Sequence, residues 1–219
     1  MEKSIIIKLE NPSEFTLGEI KKITGHVMAK YIPAIIDTLD LEANPRASRT
    51  GTVTDAIQDS INVNPMLFPF KTKGILLAFS QYKYLDRGRI KLTTDNPVIE
   101  GILDGGHNTL AIGLDILKKS LEYVDQTLPK GSKTWDQFKE LWENNSNIID
   151  QYLQYLKNNP EIKDLNYLIP VEIDVPRDPE DIACITKYKM IYLIFAMQEI
   201  IMLNSQIQIK QIIAGTLMI

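Results

Sequence analysis

Six consecutive residues, Asp104-Gly105-Gly106-His107-Asn108-Thr109, concentrate most of the polar chemistry this chain offers. A carboxylate and an imidazole are the groups that move protons at neutral pH, and Asp104 is also a natural oxygen ligand for a divalent cation. The two glycines between them permit a sharp turn with positive φ and leave the backbone N–H groups unobstructed. Where such a turn feeds a helix, the first N–H groups lack intrahelical acceptors and the helix dipole adds partial positive charge. That junction suits an anion, often phosphate. Two readings stand side by side. In one, Gly105, Gly106, Asn108 and Thr109 bind phosphate while Asp104 and His107 act as base or metal carboxylate and proton-transfer group. In the other the turn is structural and Asp104 caps the helix.

The flanking residues must form the elements that hold this turn. Val98, Ile99, Ile102 and Leu103 make an apolar run too brief for a helix and suited to a buried strand. Beyond it Leu110, Leu114, Leu117 and Leu121 fall on one helical face. Upstream, Ser4 to Leu9 reads as a strand. Thr16 to Leu41 carries helical spacing (Ile20, Ile23, Val27, Tyr31, Ile35) with breaks near Gly25 and Pro33. Asn44 to Gly51 is a polar loop, and Thr54 can cap a short helix ending before Asn64-Pro65. Ile75 to Tyr84 is β-rich, Leu85 to Gly88 is a hairpin turn, and Arg89 to Thr94 is its return strand. Downstream, Thr134 can cap a helical hairpin or one long helix to about Asn158. There Trp135, Phe138, Trp142, Ile149, Tyr152 and Leu156 repeat at helical spacing, which reads as core rather than as a base-stacking platform. Leu168 to Val175 is a further strand, and Asp178 can cap a helix starting near Pro179. Strands alternating with helices give an α/β or α+β chain: a mixed sheet with flanking helices around the strand, glycine turn and helix.

The 219 residues suffice for one core without staples, and a single cysteine, Cys184, excludes an internal disulfide framework or a CxxC site. The two histidines, His26 and His107, lie far apart in sequence, which argues against a zinc site. No stretch reads as a signal peptide or a membrane span, so a cytoplasmic, reducing location without membrane contact is expected. The net charge of −4 argues against indiscriminate nucleic-acid binding, yet its distribution is uneven. Asn44 to Thr94 holds eight basic residues against three acidic, whereas Asn96 to Ile185 holds eight against sixteen. Arg46, Arg49 and Lys73 of the basic segment are the candidates to meet a phosphate at the turn; an ordinary solvated face is the alternative.

With these motifs in view, the chain resembles the abortive-infection phage-resistance family of bacterial defence proteins. The resemblance covers roughly Leu41 to Ile182. It rests on Asn44-Pro45-Arg46, on Ile57 and Ile61, on Phe70 with Gly74-Ile75, and on the strand ending Asp-Gly-Gly with Thr109. More distantly, Asp104 to Asn108 is similar to the Asp-Gly-x-His-Arg signature of ParB-like and sulfiredoxin-like domains. That likeness implies a core of that type, with the glycine turn holding nucleotide phosphate. Two departures limit it. Gly106 stands where sulfiredoxins carry their reactive cysteine, so no thiolate chemistry follows. Asn108 stands where ParB-like motifs carry arginine, so a permanent charge is lost.

Two functional classes follow. The first is an antiviral defence protein that binds nucleotide or nucleic-acid phosphate at the turn. Phosphodiester or phosphoryl-transfer activity, as a nuclease or nucleotide hydrolase, would then call on Mg²⁺ as cofactor. The second is a non-enzymatic nucleotide-gated DNA-binding or protein-interaction module. Two segments are expected: residues 1–185 as a single domain with a helical insertion at about 134–158, and residues 186–219 as an apolar tail. From Met190 to Ile219 there are nine isoleucines, four methionines and one acid, Glu199. Such a tail is a terminal helix, buried or joined to a partner or a second copy, or else a segment read out of frame. Codons compatible with Ala196 to Gln211, shifted by two bases, can spell a polar Arg-Asn-rich stretch resembling the one expected next in the defence family.

Overall fold

The computed structural model describes residues 2–44 and 47–216. Arg46 of the expected phosphate set and the apolar end at Leu217 to Ile219 lie outside the described residues. Two sheets carry the fold. In the first, β1 (Lys3–Lys8) pairs antiparallel with β6 (Arg89–Thr94), which pairs with β5 (Gln81–Leu85) across the expected hairpin turn. The second has five strands in the order β2 (Glu10–Leu17), β3 (Ile20–Met28), β8 (Leu168–Pro176), β4 (Ile75–Ala78), β7 (Gly101–Asp104). It is mixed: β4 runs parallel to β8 and antiparallel to β7. The chain is therefore α+β, with helices flanking a mixed sheet.

Side-chain alternation sorts the five-stranded sheet into two faces. Ile75 and Leu77 of β4, Ile102 of β7 and Ile169, Val171, Ile173 and Val175 of β8 enter the main core. That face is covered by α1 (Pro33–Thr38), α2 (Thr52–Val63) and α4 (Gly106–Tyr123), whose Leu110, Ile112, Leu114 and Leu117 are buried. The helical hairpin α5 (Trp135–Asn144) and α6 (Ser146–Asn158) closes the layer. Trp135, Phe138, Trp142, Ile149, Tyr152 and Leu156 are all buried, as their spacing predicts. Thr134 caps α5 by accepting the Gln137 N–H at 3.4 Å while the Gln137 side chain accepts the Thr134 N–H at 3.0 Å. A short turn of helix, α3 (Phe68–Lys71), anchors by Phe68, whose ring meets Tyr167 edge-on at 5.8 Å.

The other face is covered by α7 (Ile182–Thr216), which runs straight through the expected boundary at residue 185. Tyr188 and Tyr192 seat it: the Tyr188 hydroxyl donates to the Asp174 carbonyl oxygen at 2.8 Å and the Tyr192 hydroxyl to Asp174 Oδ2 at 2.7 Å. The cap is Asp181, whose Oδ1 accepts the Ala183 N–H at 2.8 Å, three residues beyond the expected Asp178. From Ile200 onward every side chain that is described is exposed. Among the described residues, no helix is long and apolar enough to cross a membrane.

Two expectations of secondary structure are overturned. Val98 and Ile99 lie in a turn before β7, which begins at Gly101, and Val98 is 52 % exposed. Thr16 to Leu41 is mainly the hairpin β2–β3, not helix; only Pro33–Thr38 and the turn before it are helical. Ile23, Gly25 and Val27 are buried at every second position, and Gly18 supplies the turn at φ +59°. The apparent helical spacing came from sampling a period-2 pattern at every third or fourth residue, while β-branched residues favoured the strand.

Candidate phosphate-binding cleft at the N-terminus of α4

Asp104 ends β7, and Gly105 turns the chain into α4 at φ +85°. Only glycine fits there. Besides the positive φ, a Cβ would collide with the Gly74 carbonyl and stand 2.9 Å from Ile75 Cα. Asp104 Oδ1 accepts the Gly105 N–H at 2.7 Å, and the first helical bond runs from Thr109 N–H to the Gly105 carbonyl at 2.8 Å. The N–H groups of Gly106, His107 and Asn108 therefore have no acceptor among the described residues. All three residues line a cleft of about 670 Å³, together with Asn44, Ser48, α2, Lys71, Lys73 and Gly74.

The polar loop leading to α2 closes over this turn. Trp135 N–H donates to the Ser48 carbonyl at 3.0 Å, Thr50 N–H to the Lys133 carbonyl at 2.8 Å, and Arg49 bridges to Thr134. So held, Ser48 is 3 % exposed and its Oγ has no hydrogen-bond partner among the described residues. A Cβ on Gly106 would strike that hydroxyl and stand 3.2 Å from Asn44 Nδ2. A buried, unpaired hydroxyl costs stability unless something bonds to it. Ser48 is a lining residue of the cleft, as are Gly106, His107 and Asn108.

The expected site residues separate in space. Gly105, Gly106, Asp104, His107 and Lys73 border the cleft. Asp104 and Lys73 are exposed, and the partly buried His107 imidazole makes no hydrogen bond among the described residues. Asn108 contributes its amide only, because its side-chain Nδ2 donates to the Gly74 carbonyl at 2.7 Å and ties α4 to β4. Thr109 is withdrawn from the expected grip: it is fully buried and its hydroxyl donates to the Gly105 carbonyl at 3.0 Å. Arg49 borders a neighbouring depression of about 430 Å³ that shares Thr52, Val53 and His107 with the cleft. Lys133 also lines it, 8 % exposed, its ammonium donating to the carbonyls of Pro129 at 2.6 Å and Gly131 at 3.0 Å. Ser48, Lys71 and Lys133 were missed by sequence reasoning, since nothing in their local sequence brings them to residue 106.

Among the described residues no group of three or more His, Cys, Asp or Glu side chains is placed to hold a metal ion. Glu100 is 2 % exposed and turned away, its Oε2 accepting the Asp95 and Asn96 N–H groups at 2.9 and 3.4 Å. Asp104 is left as the carboxylate at the turn. Compared with protein-family models, curated proteins and solved structures, the chain matches none.

Proposed function

We propose that this chain binds the phosphate of a nucleotide or nucleic acid in the cleft at the start of α4. The observation that carries this reading is the pairing of three acceptor-free amides, Gly106 to Asn108, with the buried, unpartnered hydroxyl of Ser48. An oxyanion at the start of α4 would accept from these amides, with Ser48 among the lining residues and Lys71 and Lys73 at the rim adding opposite charge. The lone carboxylate and lone imidazole support binding over hydrolysis, because two-metal phosphodiester chemistry needs clustered carboxylates. A role in bacterial phage defence, in the cytoplasm, rests on the family resemblance and on the single cysteine. Thermal-shift titration with inorganic phosphate, pyrophosphate and ATP, with and without Mg²⁺, tests the site. A rise in melting temperature supports it, and a flat response to all three anions removes it. Nuclease and nucleotide-hydrolysis assays on wild-type protein and His107→Ala then test for chemistry.

A protein-interaction role has one observation in its favour. Along α7, Ile194, Phe195, Met197, Ile200, Ile201 and Met202 are all roughly half exposed or more. Light scattering coupled to size exclusion tests that reading; a monodisperse monomer at high concentration counts against self-association.

A further inference from the structure

A second cavity, of about 390 Å³, lies between α7 and the β4–β7 edge of the five-stranded sheet. That volume falls within the range of small-ligand pockets, about 300–1,000 Å³. Its lining is apolar where the sheet supplies it, through Leu76 of β4, Leu103 of β7 and the Val98-Ile99 turn. Helix α7 contributes two aromatic rings, Tyr192 and Phe195, whose centroids stand 5.6 Å apart at 73°.

The charges of the lining are all of one sign. Asp104, Asp174 and Glu199 line the cavity, and no lysine, arginine or histidine does. Asp174 is 6 % exposed and its Oδ2 accepts the Tyr192 hydroxyl at 2.7 Å. Its Oδ1 has no hydrogen bond among the described residues and stands 3.5 Å from Lys22 Nζ, so one of the three charges is offset from outside the cavity. Glu199 is partly buried and has neither a hydrogen bond nor an ion pair among the described residues. Asp104 accepts only the neutral N–H of Gly105. Two carboxylates beside apolar walls are thus left without a cationic partner. An opposite charge there is attracted more strongly than in open water, and the faces of aromatic rings attract cations as well. An anion would meet repulsion.

We propose that this cavity binds a small organic cation, an ammonium or amidinium carried on a compact apolar body. The body packs against Leu76, Leu103 and Phe195, and the charged head pairs with Glu199. Asp104 lines both this cavity and the phosphate cleft, but the proposal does not depend on the phosphate reading, because the two cavities select opposite charges.

Calorimetric titration of the full chain with benzamidine tests it, with benzamide and benzoate as the neutral and anionic counterparts of similar shape. Benzamidine should bind at least about tenfold more tightly than benzamide, and benzoate should not bind. Glu199→Gln should weaken benzamidine binding about 10- to 100-fold, the worth of a hydrogen bond to a charged group. Phe195→Ala should weaken it about 2- to 30-fold, the range for a cation over an aromatic face. Glu161→Gln removes an exposed carboxylate outside the cavity and should leave the affinity unchanged at about 0.15 M salt. The melting temperature of each variant without ligand shows that it is folded. Silence toward benzamidine, or equal binding of benzamide, overturns the proposal. Binding that is indifferent to Glu199→Gln or Phe195→Ala, or weakened as much by Glu161→Gln, overturns it too, since the cation would then be held elsewhere or by the diffuse charge of the chain.

Discussion

Ser48→Ala separates a ligand-binding hydroxyl from a structural one, because the two roles move stability in opposite directions. In the free protein Ser48 Oγ is buried without a partner. An unsatisfied buried group of this kind costs about 1–3 kcal/mol, so removing it should stabilise the fold by about 1 kcal/mol, allowing for partial relief by relaxation. For a chain of 219 residues that corresponds to a rise in melting temperature of about 2–4 °C. The bound state responds the other way. A hydrogen bond to a charged acceptor is worth about 1.5–3 kcal/mol, so the variant should lose roughly 10- to 100-fold in affinity for pyrophosphate or ATP. Scanning fluorimetry with and without ligand, followed by calorimetric titration, reads both effects from one sample. A fall in melting temperature with unchanged affinity would refute the reasoning, since Ser48 would then be bonded inside the fold and idle toward the ligand.

Four further outcomes are expected. Gly106→Ala drives a methyl into Ser48 Oγ and should cost about 1–3 kcal/mol by overpacking; in the Ser48→Ala background most of that cost should vanish, which a double-mutant cycle measures. His107→Ala should change stability by about 0.5 kcal/mol or less, because the imidazole is only partly buried and makes no hydrogen bond among the described residues; a large loss would mark it as structural. Trp142→Ala removes a buried ring whose Nε1 donates to Asp37 Oδ1 at 2.6 Å and should cost about 3–5 kcal/mol, visible as a fall of about 10 °C. Burial raises the Asp174 carboxyl above its ordinary value of 3.8, against the opposing pull of Tyr192 and Lys22. Its contribution to stability is then full below that value and lost as pH rises through the raised one. The stability of Asp174→Asn relative to wild type should therefore be more favourable at pH 7 than at pH 4, and melting curves showing the reverse trend would contradict this.

Local rules carried much of the fold. The strand, turn and helix around residue 105 follow from Ile102 and Leu103, two adjacent glycines and leucines on one helical face, all within a span where near neighbours decide the outcome, although Val98 and Ile99 of the same apolar run form a turn. The buried aromatics of α5 and α6 and the Thr134 cap were legible for the same reason. Period-2 and period-3.6 patterns are hard to separate where isoleucines are dense, and β2–β3 was misread there. In β3 the deciding contact is the ladder to β8, as at Ile23 opposite Ile173, a pairing some 150 residues distant that no local window contains.

The site divides along the same line. Asp104, Gly105, Gly106 and His107 are contiguous, so their chemistry and their turn could be read directly from the chain. Ser48, Lys71 and Lys133 reach that turn only because the 47–51 loop is bonded to residues 133–135 and because α3 is anchored through Phe68. Thr109 shows the converse: its type and position in the first helical turn suggested a ligand group, and its hydroxyl instead bonds the Gly105 carbonyl in the core. Residue type and spacing determined which groups could bind an anion. Which of them face the cleft was decided by helix phase, loop closure and burial, and those depend on contacts between residues far apart in the chain.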